Sequence, residues 1–411
     1  MRVLFVALVA AALLSAPSTA NAEIEHTSAV RVVGAGWAAT GIPGLPAQSL
    51  DQRWLGGSVG RHIVASKGYP WQWEANVFVD ATRATGGGLG AFSTVGRQGS
   101  RFRHPALQWA LVEDGDHTLS AGIDRLFARR VGEKVTATVG RFPVNWSVTS
   151  LLTPNDFFAP FAAAAINRIY KPGVDAAQIE HALGPMTTLT VLGALGTDDG
   201  ELDGQRHHAA LVRASTLINT ADGGFQVSAV GGRAGAMGWV LGATAQGDVG
   251  VVNLRAEGHV GATCWPPNRG CSRVRAAMGA DTRLPWRNGS VAVEGAWLSD
   301  GATAPSGYVQ RALALQPDEL PYLGRAYAAL TTGFELLPIL RVGGFALANL
   351  EDLSGVGGLS LSWSAADEAD VMLGAFLPWG DGAAIGPQGL QLGSEMGAGS
   401  ATLYLEARAF F

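Results

Sequence analysis

From residue 71 the chain alternates: Trp71, Trp73, Ala75, Val77, Val79 and Ala81 share one parity, and Gln72, Glu74, Asn76, Asp80 and Thr82 the other, with Phe78 the exception. Successive side chains of a strand point to opposite faces, so a period of two writes one apolar face and one polar face. The pattern recurs at 251–260, where Val252, Leu254, Ala256 and Val260 oppose Asn253, Arg255, Glu257 and His259. At 273–284, Val274, Ala276, Met278, Ala280 and Leu284 oppose Arg273, Arg275, Asp281 and Arg283. The last residues repeat it: Leu403, Leu405, Ala407, Ala409 and Phe411 against Thr402, Tyr404, Glu406, Arg408 and Phe410. One such segment also suits a soluble sandwich, so the weight lies in the repetition.

Periodicity and turn residues predict eighteen strands, at 28–41, 71–83, 105–113, 118–129, 133–143, 174–184, 186–197, 206–219, 222–234, 236–247, 249–262, 272–284, 288–299, 324–337, 339–350, 354–365, 368–379 and 399–411. Counted back from the last strand, one set of connections is short: Ala366-Asp367, Pro338, Arg287, Asp248, Thr220-Ala221, Pro185 and Val131-Gly132. The opposite set, 380–398, 300–323, 263–271, 198–205, 144–173 and 42–70, is mostly longer. Short turns on one side and long loops on the other are the signature of a transmembrane up-and-down barrel. The segment 84–104 breaks the rule, being long where a short turn is due, and sixteen strands is the alternative count.

The first residues supply the compartment. Arg2, an apolar run Val3–Leu14 and the small-residue end Ala20-Asn21-Ala22 have the form of a secretory signal, with cleavage expected after Ala22; the other reading is an anchor helix. Residues 23–411 then form a single domain. Hydrophobic residues make up 47% and charged residues only 15%, against about a quarter in soluble domains. No later run is apolar enough for a membrane helix, and the 56 glycines suit strands. The expected fold is therefore all-β: an antiparallel barrel in the outer membrane of a Gram-negative cell, with short periplasmic turns and long extracellular loops. Its partners are outer-membrane lipid and lipopolysaccharide, and periplasmic chaperones and the barrel assembly machinery, for which terminal Phe411 is the expected signal. Trp71, Trp109, Trp286, Trp363 and Trp379, near strand ends, are candidates for aromatic girdles. The net charge of −5 is spread out and shows no basic block for nucleic acid.

The 144–173 loop carries Phe157, Phe158, Phe161 and the run Ala162–Ile166, more apolar than a solvated loop. It either folds into the barrel mouth or packs on neighbouring external loops. Around it stand Gly140, Arg141, Trp146, Pro154, Asp156, Phe157, Arg168, Gly173, Val174, Asp175 and Ala176, with Asp124-Arg125-Leu126 upstream. This stretch of roughly 60 residues resembles a group of poorly characterised, porin-like proteobacterial outer-membrane barrel proteins. Phe142 and Ser147 depart from it, where the group usually has Gln and Gly. The resemblance implies passage or binding of a solute and names no substrate.

Alternation aims Arg213, Arg255, Glu257, His259, Arg273, Arg275, Asp281, Arg283 and Glu294 at the lumen, and Asp156, Arg168, Lys171 and Asp175 of the long loop are candidates to complete a constriction. Rings of charge set selectivity in pores; opposite charges on adjacent strands also simply satisfy one another. Cys264 and Cys271, in CWPPNRGC, are expected to form a disulfide, the alternative being a metal or redox pair. His181, His207, His208 and His259 are the histidines a barrel hydrolase would use, but no nucleophile motif accompanies them. The run Gly86-Gly87-Gly88-Leu89-Gly90 lacks the βαβ context of a phosphate loop. A plugged transporter needs a plug domain ahead of the first strand, and too few residues precede it. The functional expectation is a porin-like channel for passive diffusion of small hydrophilic solutes, with no enzyme activity, cofactor or metal. The alternatives are a sealed structural or adhesive barrel and, less favoured, a barrel hydrolase.

Overall fold

The structure, a computed structural model, describes residues 23–37, 53–84, 101–160, 171–197, 207–220, 223–261, 273–315, 319–387 and 389–411. The first strands are β1 (Ile24–Trp37), β2 (Arg53–Ser66), β3 (Trp71–Ala84), β4 (Gln108–Asp114), β5 (His117–Val131), β6 (Val135–Phe142) and β7 (Val174–Ala182). Then come β8 (Thr187–Ala194), β9 (Ala209–Thr220), β10 (Gly223–Arg233), β11 (Trp239–Val249), β12 (Val252–Gly261), β13 (Arg273–Leu284) and β14 (Gly289–Leu298). The helix α1 (Tyr308–Ala314) precedes β15 (Ala326–Leu337), β16 (Leu340–Asn349), β17 (Gly355–Ala366), β18 (Ala369–Trp379), β19 (Ala383–Gly386), β20 (Gly389–Leu392) and β21 (Thr402–Phe410).

Eighteen of these strands form a closed antiparallel barrel. β1 closes it against β21, in register from Ala29 opposite Phe410 to Trp37 opposite Thr402. Closure leaves no unpaired edge, which hydrocarbon demands because it offers no partner for a bare N–H or C=O. Side chains alternate as the sequence period requires: in β1, Ala29, Arg31, Val33 and Ala35 are buried inward, while Val30 and Val32 are exposed outward. Outward Val77, Val79, Ile179, Leu241, Met278, Leu359 and Leu405 continue an apolar outer wall. Trp286 and Trp363 are exposed toward the short-turn rim, and Trp54, Trp239, Trp297 and Trp379 toward the long-loop rim. A closed barrel with this outer wall is an outer-membrane protein.

The eighteen-strand count holds, but two of its members change. β2 lies inside the segment read as the 42–70 loop, pairing with β1 along its whole length and with β3. The segment 105–113, read as a wall strand, is β4, which among the described strands pairs with β5 alone, beside the upper half of that strand. β3 therefore runs toward the long-loop side, opposite to the direction the count implied. The short turn is 67–70, and β3 ends and β5 begins on the side of the long loops. The physical reason is compositional. β2 carries Gly56, Gly57 and Gly60 at both parities, so its alternation is faint, whereas β4 has apolar Trp109, Leu111 and Val112 but, among the described strands, pairs only with β5.

Phe78, the exception in the first alternating run, also gains an explanation. It faces inward opposite Gly122, and a Cβ at Gly122 would stand 2.9 Å from its ring. The aromatic ring fills the space that the glycine leaves, under the Arg61 guanidinium at 5.8 Å from the ring centroid.

Candidate functional site: the loop folded into the lumen

The chain leaves the wall after β6 and returns at β7, and residues 143–160 run inside the barrel. The root of this excursion is a buried ionic clamp. Arg141 donates from Nε and Nη2 to the two carboxylate oxygens of Asp175, at 2.6 and 2.7 Å, and both side chains are fully buried. A two-pronged pair of this kind is among the stronger polar contacts in proteins. The remaining Arg141 donors reach the carbonyls of Ile123 and His104, and Asp175 also accepts from the His104 N–H at 2.5 Å. Gly140 lies at φ +126, and any Cβ there would meet the Leu126 carbonyl at 2.1 Å. Only glycine accommodates such an approach. Asp124, an extra residue bulged into β5, is shared by Arg61 at 2.7 Å and Arg103 at 2.9 Å. Of the residues that carry the sequence resemblance, Asp124, Gly140, Arg141 and Asp175 are thus, physically, the fastening of the loop root.

Beyond the root the segment is apolar and packs on the inner wall. Val144, Trp146, Phe157 and Phe158 join a buried cluster with Phe142, Val174, Leu192, Leu211, Val230 and Val240, inward residues of β6–β11. Leu151 and Leu152, at the tip, join a second cluster with Val33, Leu55, Leu298, Tyr327, Leu347, Phe376 and Tyr404, which belong to the far wall. The segment therefore crosses the lumen and touches both sides.

Two inward carboxylates hold it there. Glu257 accepts from the hydroxyls of Ser147 and Thr149 (2.8 Å for the latter), from the Val148 N–H at 2.6 Å, and from the Asn155 N–H at 3.4 Å. Glu294 accepts from three consecutive N–H groups, Ser150, Leu151 and Leu152, at 2.6, 2.8 and 3.1 Å. These backbone donors would otherwise be buried without a partner, a loss of about 1–3 kcal/mol each. The Ser147 hydroxyl supplies one of the donors to Glu257.

The other lumen candidates divide by environment. Arg255 pairs with Asp281 and donates to Ser150 Oγ at 2.7 Å, and both partners stay partly exposed. Arg213 lies over the Trp146 ring at 6.0 Å and donates to Ser228. Arg283 is exposed near the short-turn rim. Asp156 binds Lys171 and accepts from the Ala159 N–H. Burial lowers the Lys171 ammonium below its ordinary pKa, with Asp156 opposing that shift. His259 is buried, its ring against Phe157 and its Nδ1 3.1 Å from Asn155 Oδ1, so it supports the segment rather than facing water. His208 takes the Gly196 N–H, and His181 lies exposed on β7. Arg168, Cys264, Cys271, the 86–90 glycine run and residues 1–22 lie outside the described residues.

A second in-folded connection, described at 299–315 and 319–325, has no counterpart in the sequence reading. Arg273 and Arg275 of β13 meet Asp300, Arg311 of α1 and Glu319 in one buried cluster, with Arg275 Nη2 2.8 Å from Asp300 and Arg273 Nη1 2.7 Å from Glu319. Burial alone would raise the Asp300 carboxyl; Arg275, Arg311 and Arg273 overcome it and hold it down to about 2. Arg273 and Arg275 thus tie down a loop, as Glu257 and Glu294 do. The alternation gave their direction, but their partners lie in loops without periodic pattern. At the seam, Arg31 forks onto Glu406 at 2.7 and 2.9 Å, and Arg408 shares the same carboxylate.

No family model and no curated protein matches this sequence. Among solved structures, the chain is similar over 95% of its length to Acinetobacter baumannii OccAB4, with 98% of that chain covered, 7% identity and a TM-score of 0.54. It is similar over the same share to Pseudomonas aeruginosa OccD3 (OpdP), with 93% of that chain covered, 10% identity and a TM-score of 0.53. Pseudomonas aeruginosa OccK8 (OprE) aligns over 94% of this chain and 98% of its own, with 8% identity and a TM-score of 0.50. At these identities the likeness is one of fold: the chain, a closed eighteen-strand barrel, shares the β-barrel fold of these outer-membrane proteins.

Proposed function

We propose that the protein is a porin-like outer-membrane channel through which small hydrophilic solutes diffuse passively. The observation that carries this reading is the in-folded 143–160 segment, held by Glu257 and Glu294 across a barrel of a size that leaves an aqueous lumen in porins. Toward the short-turn side the inward face is polar: Gln246 donates to Gln226, Gln226 to Ser215, and Arg129 to Thr138. In this reading the segment is the constriction, and Arg213, Arg255, Asp281, Arg283, Lys171 and Asp156 are the charges that a passing solute meets. Glu257, His259, Glu294, Arg273, Arg275 and Asp175 act indirectly by holding the loops. A signal segment cleaved after Ala22 and a Cys264–Cys271 disulfide belong to the same proposal.

A sealed structural barrel is the second reading. It is favoured by the apolar contacts of Leu151 and Leu152, which continue the loop to the far wall. Liposome swelling separates the two. Vesicles containing the purified protein should swell in a pentose and not in a large oligosaccharide, at a rate proportional to the protein added. Swelling no faster than in protein-free vesicles, for every sugar, favours the sealed barrel.

A further inference from the structure

Glu395 stands in the external connection between β18 and β21, and its carboxylate is buried. It accepts from the Leu323 and Gly324 N–H groups at 2.8 and 3.2 Å, from Tyr327 OH at 2.5 Å and from Asn349 Nδ2 at 2.7 Å. The donors come from the second in-folded connection, from β15 and from β16. Its own N–H donates to Asp352 Oδ2 at 2.8 Å. No Lys or Arg among the described residues stands within ion-pair distance of it. The titratable groups that face it are Tyr327 of β15, Tyr308 of α1 and Asp352 of the 350–354 turn. The adjacent Met396 is buried in the same lumenal cluster as Leu151 and Leu152. One carboxylate therefore fastens two external connections to the wall, beside the tip of the 143–160 segment.

We propose that Glu395 is a proton-sensitive latch on the external mouth: its neutral form keeps the 393–397 stretch docked with Met396 in the lumen, and its ionisation loosens that stretch. This regulation rests on the channel reading above.

Two effects compete at this carboxylate. Burial disfavours the charged carboxylate, and four hydrogen bonds favour it; burial wins and pushes the group up to about 7 from 4.5. A carboxyl raised in the docked state stabilises docking fully below its free value. Docking then weakens by about tenfold per pH unit from about 4.5 to about 7 and levels off above. The latch is closed in acid and loose at neutral to alkaline pH.

Hydrogen exchange of the full-length protein in lipid nanodiscs tests this without reference to conduction. After correction for intrinsic rates, the Leu323 and Gly324 amides should lose at least tenfold protection between pH 5 and pH 8, while β12–β13 ladder amides stay constant. Glu395→Gln should keep them protected at both pH values. Tyr327→Phe removes a donor that favours the carboxylate, so the loss should level off at a higher pH. Bilayer current through the wild type should rise over the same range and that of Glu395→Gln should not. Protection of Leu323 and Gly324 independent of pH in the wild type, or an unchanged pH response in Glu395→Gln, overturns the latch even if the protein conducts. PH-linked exchange without any current leaves the latch standing and removes the channel reading.

Discussion

Replacing Glu257 and Glu294 together by alanine is expected to raise single-channel conductance severalfold and to make the current noisy. Glu294 alone takes three backbone N–H groups, and Glu257 takes two hydroxyls and two N–H groups. Hydrogen bonds to a charged group contribute about 1.5–3 kcal/mol each, so the pair holds the segment by several kcal/mol. What opposes release is the packing of Leu151, Leu152, Phe157 and Phe158. The root clamp of Arg141 and Asp175 is untouched, so the segment should swing from its root while the wall stays folded. Glutamine at both positions should give a smaller effect, since an amide oxygen still accepts. Conductance unchanged in the double alanine variant, with the barrel intact by heat-modified mobility on gels, would contradict the anchoring role.

The second large effect is on stability. Arg141→Ala leaves the Asp175 carboxylate buried without its cation. Losing one partner of a fully buried pair costs about 3–5 kcal/mol. Thermal unfolding in detergent should shift down by many degrees, and Arg141→Lys should recover only part of the loss because an ammonium cannot make the fork. Arg141→Leu combined with Asp175→Leu should be markedly more stable than Arg141→Ala, because no buried charge remains. A midpoint for Arg141→Ala equal to the wild type would show that the clamp does not hold the root.

How much of this was legible in the sequence follows from what a period of two can encode. It encodes which face a residue takes: Glu257 and Glu294 are buried on strands whose Leu254, Val260 and Val293 are exposed, and Leu403 and Leu405 are exposed beside buried Tyr404 and Glu406. It does not encode partners. Glu257 and Glu294 read as charges set opposite inward arginines on adjacent strands, yet their partners are backbone N–H groups of residues 148–155 and the hydroxyls of Ser147 and Thr149, which no period announces. The strand β2 was hidden because glycine at both parities erases the alternation, and β4 was counted because its apolar residues mimic it. Of the clamp residues, Arg141 was visible only through the resemblance motif, and Asp175 was read as a charge of the constriction, whereas it lies buried against Arg141. Asp300, Arg311, Glu319 and Glu395 stand in connections with no period at all, and only their burial marks them.

In the proposed channel, solute and current pass through the lumen beside the 143–160 segment. Asp281→Cys places a thiol on the inward face of β13, next to Arg255, and Met278→Cys places one on the outward face of the same strand. In planar-bilayer recordings, a membrane-impermeant charged thiosulfonate should reduce each open channel of Asp281→Cys in a discrete step, and leave Met278→Cys and the wild type unchanged. Open channels of Asp281→Cys whose current is indifferent to the reagent, with modification verified by mass spectrometry, would contradict passage through this lumen.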